Sequence, residues 1–299
     1  MELLGDLLFG ACIAYLVLVV WRCRPKQAYP AYGWIGLAGV GLAAALALFG
    51  VSWVRVFLTP IVWTGYVLAV DAAVLATRGR SLLQTCPGPL GWMAGMSIGL
   101  WLPFEGYNLC LQNWQYIGLP ESLAVRVIGY LWSFATIWPA ILETADLLLA
   151  GSSKPVGQGD AARGTGWIVA GLVCVTAPIL VPPGFGAYLF GAVWLGFFFL
   201  LDPVNQKAGQ PSILRELSHR DSARFWALIK AGVICGFVWE FWNYRADARW
   251  VYVFPILQEF KIYEMPVPGY LGFPAFALEV FAMYVYVTTR LKLPYYEVR

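Results

Sequence analysis

Nine long apolar stretches, separated by short polar ones, run along this chain at about residues 4–21, 33–53, 56–76, 88–108, 122–148, 166–183, 185–202, 223–243 and 270–289. Each is near the roughly 20 residues that a helix needs to cross a bilayer. The pattern predicts an all-α, polytopic integral membrane protein with about nine transmembrane helices. The sixth stretch is the shortest and ends at Pro182-Pro183. The first has no basic leader, and Arg22, Cys23 and Arg24 follow it where a cleavage site would need small residues. It therefore reads as a retained span rather than a signal peptide.

Composition agrees with the pattern. The chain is 60% hydrophobic and 12% charged, against about 25% charged in soluble domains. Its net charge of +3 is small, and no basic patch alternates with aromatics, so nucleic acid is not an expected partner. The expected surroundings are the lipid bilayer, with a homo-oligomer left open. The six cysteines, at 12, 23, 86, 110, 174 and 235, form no Cys-x-x-Cys pair and read as small core residues.

Basic residues then orient the spans. Arg22, Arg24 and Lys26 follow the first, Arg78 and Arg80 the third, and Lys154 and Arg163 the fifth. Lys207, Arg215, Arg220 and Arg224 follow the seventh, and Arg290, Lys292 and Arg299 end the chain. With nine spans all five groups share one side. The expectation is a cell (inner) membrane protein with its N-terminus outside and its C-terminus cytoplasmic.

The chain also repeats itself. Trp63, Gly65, Asp71 and Ser81 recur 131 residues later as Trp194, Gly196, Asp202 and Ser212. Glu105, Asn108, Trp114 and Tyr116 recur as Glu240, Asn243, Trp250 and Tyr252 at offsets of 135 to 136. Pro139 and Glu143 recur as Pro274 and Glu279. Two four-helix repeats follow, at 33–150 and 166–289, flanked by an N-terminal span and basic loop (1–30), a linker (151–165) and a tail (290–299). Four spans per repeat give both copies one orientation, so the repeats are parallel.

Carboxylates inside spans are costly in hydrocarbon and face the bundle, so they are the first candidates for function. Glu143 and Glu279 fall within spans. Glu105 and Glu240 fall near the outer ends of theirs, each with an Asn one turn on, Asn108 and Asn243. Such Glu–Asn pairs also serve as interhelical clasps. Trp114, Tyr116, Trp250 and Tyr252 lie in outer loops, either as part of an interfacial aromatic belt or as a lid over a cavity. The single histidine, His219, sits in a polar loop. That excludes multi-histidine iron sites, and no residue set has zinc spacing. Neither a P-loop nor a Gly-x-Ser-x-Gly turn is present. Carboxylates, amides and aromatics in an apolar bundle suit proton transfer to and from carbon, since burial favours a neutral acid and aromatic faces stabilise positive charge. No cofactor or metal is required.

Glu240, Trp250-Val251-Tyr252 and Pro274 to Glu279 resemble the acid, Trp-x-Tyr loop and Pro–Glu step of the lycopene cyclase domain family. Glu105, Trp114-Gln115-Tyr116 and Pro139 to Glu143 offer a second copy. The family's Glu-Glu doublet is absent, and its unit has about three spans rather than four. Phe104-Glu105-Gly106-Tyr107 and Asp247-Ala248-Arg249-Trp250 are similar to fragments of emopamil-binding-type sterol isomerases. Both resemblances imply a cofactor-free cyclase or isomerase acting on an apolar isoprenoid lipid. Glu143, Glu279, Glu105 and Glu240 would then be catalytic, with Asn108, Asn243, Trp114, Tyr116, Trp250 and Tyr252 around the substrate. The other class left open is a transporter or lipid-binding membrane protein using the same acids.

Overall fold

The computed structural model describes residues 1–85, 87–150 and 164–298. Cys86, Lys154, Arg163, Arg299 and nearly all of the expected linker lie outside the described residues. The chain is helical almost throughout: α1 (Glu2–Arg22), α2 (Ala31–Leu48), α3 (Ser52–Val56), α4 (Leu58–Arg78), α5 (Leu82–Thr85) and α6 (Pro87–Leu111) lead to a short strand, β1 (Trp114–Ile117). Then come α7 (Leu123–Ala135), α8 (Ile137–Leu149), α9 (Thr165–Leu180), α10 (Pro183–Lys207), α11 (Ile213–Ser218) and α12 (Ala223–Arg245). Strands β2 (Arg249–Tyr252), β3 (Lys261–Ile262) and β4 (Met265–Pro266) precede α13 (Gly272–Leu291).

The nine expected apolar stretches fall largely within helices, with interruptions at 49–51, at Thr136 and at 181–182. Among the described residues, seven helical segments are long and apolar enough to cross a membrane, with α7 and α8 counted as one; α9 is apolar but shorter. Residues on the outer helices face outward with apolar side chains: Leu3 is 73% exposed, Trp34 62% and Ile35 66%. In the interior Asp71, Asp146, Asp202, Glu143, Glu240 and Glu279 are fully buried. Apolar outside and acid inside is the arrangement of a helical membrane protein.

The helices pair through small residues. A Cβ on Gly36 of α2 would sit 2.6 Å from the Gly65 carbonyl oxygen of α4, and one on Gly171 of α9 would sit 2.8 Å from the Gly196 carbonyl oxygen of α10. Only glycine permits backbones this close. Asp71 of α4 and Asp202 of α10 also act alike. Asp71 accepts from the Leu83 amide (2.8 Å), and Asp202 accepts from the Ile213 and Leu214 amides (2.8 and 3.0 Å). Each carboxylate thus holds the short helix that follows it, satisfying first-turn N–H groups that have no partner within the helix.

Helices α4, α8, α12 and α13 pack together at the centre. The α7–α8 segment breaks at Thr136 because Pro139 has no N–H for the carbonyl one turn back. Buried Ser97 bridges the break: its hydroxyl donates to the Phe134 carbonyl and accepts from the Trp138 amide at 3.1 Å. The two loops with Trp-x-Tyr, expected as parts of an interfacial aromatic belt or as lids, pair with each other. β1 and β2 form an antiparallel ribbon with Trp114 opposite Tyr252 and Tyr116 opposite Trp250.

Candidate functional site

The ribbon covers a cavity of about 440 Å³, within the usual range of small-molecule sites. Its walls are largely aromatic. Trp63 of α4, Trp101 of α6, Trp194 of α10 and Trp239 of α12 line it together with Trp114 and Trp250 of the ribbon. The rings form a connected set: Trp101 lies 6.3 Å from Trp194 and 6.1 Å from Trp239, which is 5.6 Å from Trp63.

Two carboxyl groups stand behind this wall. On α6, Glu105 Oε1 accepts from the Tyr116 hydroxyl at 2.6 Å and from Trp101 Nε1 at 2.9 Å. On α12, Glu240 Oε1 accepts from the Tyr252 hydroxyl at 3.0 Å and from Trp250 Nε1 at 3.3 Å. The same Trp250 N–H also reaches the Tyr252 oxygen, at 2.8 Å. Glu240 is fully buried and its Oε2 has no hydrogen-bond partner. Glu105 is half-buried. Burial, reinforced by the neighbouring carboxyl, raises both the Tyr116 and Tyr252 phenols well above their ordinary value. Both stay neutral hydroxyl donors at physiological pH. Tyr116 and Tyr252 line the cavity themselves, so each links it to a glutamate.

The two asparagines build the ribbon. Asn108 Oδ1 accepts from the Asn113 and Trp114 amides (2.8 and 3.0 Å), and its Nδ2 donates to the Trp114 carbonyl at 2.9 Å. Asn243 accepts from the Trp250 amide at 3.1 Å and donates to the Trp250 carbonyl at 2.9 Å. One helical turn separates each Asn from its Glu, so the acid and the strand clip share a face. Neither asparagine is part of the cavity lining.

Glu143 and Glu279 also lie outside that lining, and their surroundings differ. Neither oxygen of Glu143 has a hydrogen-bond partner; the Leu82 amide is near without meeting hydrogen-bond geometry. Around it stand Asp71, Asp146 and Arg80, and Asp146 is held by Arg78 (3.1 Å), Arg80 (3.3 Å) and the Tyr296 hydroxyl (2.5 Å). Glu279 Oε1 instead accepts from the Phe197 amide at 2.9 Å, and its Oε2 is unpartnered. Phe197 stands 131 residues after Tyr66, whose hydroxyl meets Thr144 at 2.8 Å. The two acids, matched in sequence, thus have different partners. One residue along a helix is a rotation of about 100°, enough to turn two superficially matched acids toward different neighbours.

The cavity tryptophans of the helices escaped the sequence reading as site residues, although signals were there. Trp63 and Trp194 belong to the recurrence, and Trp101 stands one turn before Glu105. Among the described residues no group of histidines, cysteines and acids could hold a metal ion. Comparison with models of known protein families, with curated proteins and with solved structures gives no match for this chain.

Proposed function

We propose that this protein binds an isoprenoid-type lipid in the aromatic cavity and catalyses a cofactor-free isomerisation or cyclisation by moving protons at carbon. One observation carries the reading: the cavity is walled by tryptophan faces, and two lining tyrosines, Tyr116 and Tyr252, donate hydrogen bonds to the carboxyl groups of Glu105 and Glu240. In this scheme one Glu–Tyr pair delivers a proton to a carbon–carbon double bond, leaving a carbocation. The indole faces stabilise that charge. The other pair removes a proton from a neighbouring carbon, so one proton enters and one leaves. Sequence reasoning assigned proton donor and acceptor to Glu143 and Glu279, with Glu105 and Glu240 orienting them or sharing the proton; here Glu105 and Glu240 take the acid and base roles, because they are the acids coupled to the cavity wall. The assay is product analysis in a host that accumulates acyclic carotenoid. A rearranged product dependent on this chain is expected, and an unchanged pigment profile would remove the carotenoid version.

The finer architecture belongs to the same reading: nine spans, an external N-terminus and two parallel four-helix repeats. Support comes from the matched glycine contacts, aspartate clips and Asn–Trp strand clips of the two halves. Reporter fusions after Gly151 and after Arg299 should both report the cytoplasm; an external signal from either would remove the span count.

A transporter is the second reading, and one observation favours it. Matched discontinuities flank the cavity: the break at Thr136, and the tight turn Val267–Leu271 that precedes α13. Broken helices around a central site are a transporter device. Uptake of lipid by proteoliposomes without chemical change would select this reading over the enzyme.

A further inference from the structure

At the ribbon end of the molecule three arginines have carboxylate partners. Arg55 meets Asp247 at 2.6 Å, Arg245 meets Asp6 at 2.7 Å and Arg249 meets Glu264 at 3.1 Å. The fourth, Arg126, makes no ion pair among the described residues, and its Nε is buried without a hydrogen-bond partner. Glu121, five residues before it, is exposed and forms no ion pair with it. Arg126 lines the aromatic cavity. It stands in the first turn of α7, where Leu123 (67%) and Ala124 are exposed and Val125 lines the cavity beside it, so it occupies the rim rather than the floor. The start of α7 adds to the positive field. Ser122 before it makes no side-chain cap, which leaves first-turn N–H groups open.

A guanidinium with a buried, unpartnered Nε at the mouth of an apolar cavity gains by meeting an anion. Its planar fork of donors matches the oxygens of a carboxylate or phosphate. Further in, the wall is apolar and has Glu105 and Glu240, not a cation, behind it. The charges therefore set a direction for any amphiphile: anionic head at the rim, apolar chain inward along the tryptophans. We infer that the ligand of this cavity is a chain lipid with an anionic oxygen headgroup, bound head-first to Arg126. The inference rests on the reading that the cavity holds a lipid chain; it does not require that the chain be transformed.

The test uses the full-length protein in lipid nanodiscs, titrated with dibrominated stearate, whose bromines quench tryptophan on contact. Its methyl ester is the neutral control, and farnesyl phosphate and farnesol serve as competing displacers. Saturable quenching by the acid is expected, with the ester about tenfold weaker or more. Arg126→Gln should bring the acid down to the level of the ester and leave the ester unchanged, while Arg126→Lys should recover part of the preference. Displacement by farnesyl phosphate in preference to farnesol extends the site to phosphate; displacement by neither assigns it to carboxylate. Equal binding of acid and ester, or a preference that survives Arg126→Gln in monodisperse protein, would overturn the inference. Headgroup preference without turnover would leave it standing and remove the proposed chemistry. Turnover of a neutral isoprenoid by protein indifferent to the headgroup would do the reverse.

Discussion

Tyr252 donates its phenolic hydrogen bond to Glu240 at 3.0 Å while its ring lines the cavity. That contact joins a buried acid to a space large enough for a lipid chain. The partner arrangement, Tyr116 on Glu105, has the same connectivity but a half-exposed acid. The two Glu–Tyr pairs therefore differ in access to water, a difference that suits one acid and one base better than two equal groups.

The strand clips should matter for stability. Asn243→Ala removes two hydrogen bonds to Trp250 and should cost about 2 kcal/mol, read as a lower unfolding temperature in detergent. Asn243→Asp keeps the acceptor and should lose less. An unchanged transition in Asn243→Ala would mean that the ribbon is held by other contacts.

The glycine crossing gives a steric test. Gly36→Leu drives a side chain into the backbone of α4, where even a Cβ would stand 2.6 Å from the Gly65 carbonyl oxygen. A loss of roughly 3 kcal/mol or of folded protein altogether is expected. Gly39→Leu has nothing within 4 Å of the new Cβ and should be silent. Size-exclusion profiles of the two variants make the comparison.

The buried Glu216–Arg224 pair carries a pH dependence. Burial pushes the Glu216 carboxyl from its ordinary 4.5 up to about 7, against the pull of its partner Arg224. The folded protein therefore holds this proton more tightly than the unfolded chain. The stabilisation is complete below about 4.5 and is lost as pH rises through about 7, at most on the order of 3 kcal/mol. Thermal unfolding at pH 5 and pH 8 should differ in that direction, and Glu216→Gln should flatten the difference. A wild-type transition that rises with pH across this window would contradict the assignment.

Much of this molecule was legible from its sequence. The apolar pattern marked a helical membrane protein, and the recurrent Trp114, Tyr116, Trp250 and Tyr252 are residues that line the cavity. Pairing of the two Trp-x-Tyr segments was not legible, because strands of four residues separated by more than a hundred carry no local signal for each other. The different surroundings of Glu143 and Glu279 were hidden for another reason. The offset changes by one residue between Pro139 and Glu143, which reports a rotation, but the neighbours toward which it turns each acid are set by packing between distant segments. The asparagines looked like partners of the acids; their hydrogen bonds go to backbone, which composition cannot reveal.

The central claim is proton transfer to carbon through Glu240, and solvent deuterium tests it most directly. Purified protein is incubated with an acyclic isoprenoid in heavy water, and the product mass is compared between wild type and Glu240→Gln at matched folded protein. The expected result is one deuterium per product molecule from wild type and a loss of at least about a hundredfold in labelled product from the variant, since an amide keeps the Tyr252 contact but carries no acidic proton. Product without deuterium, or equal labelling by Glu240→Gln, would contradict it.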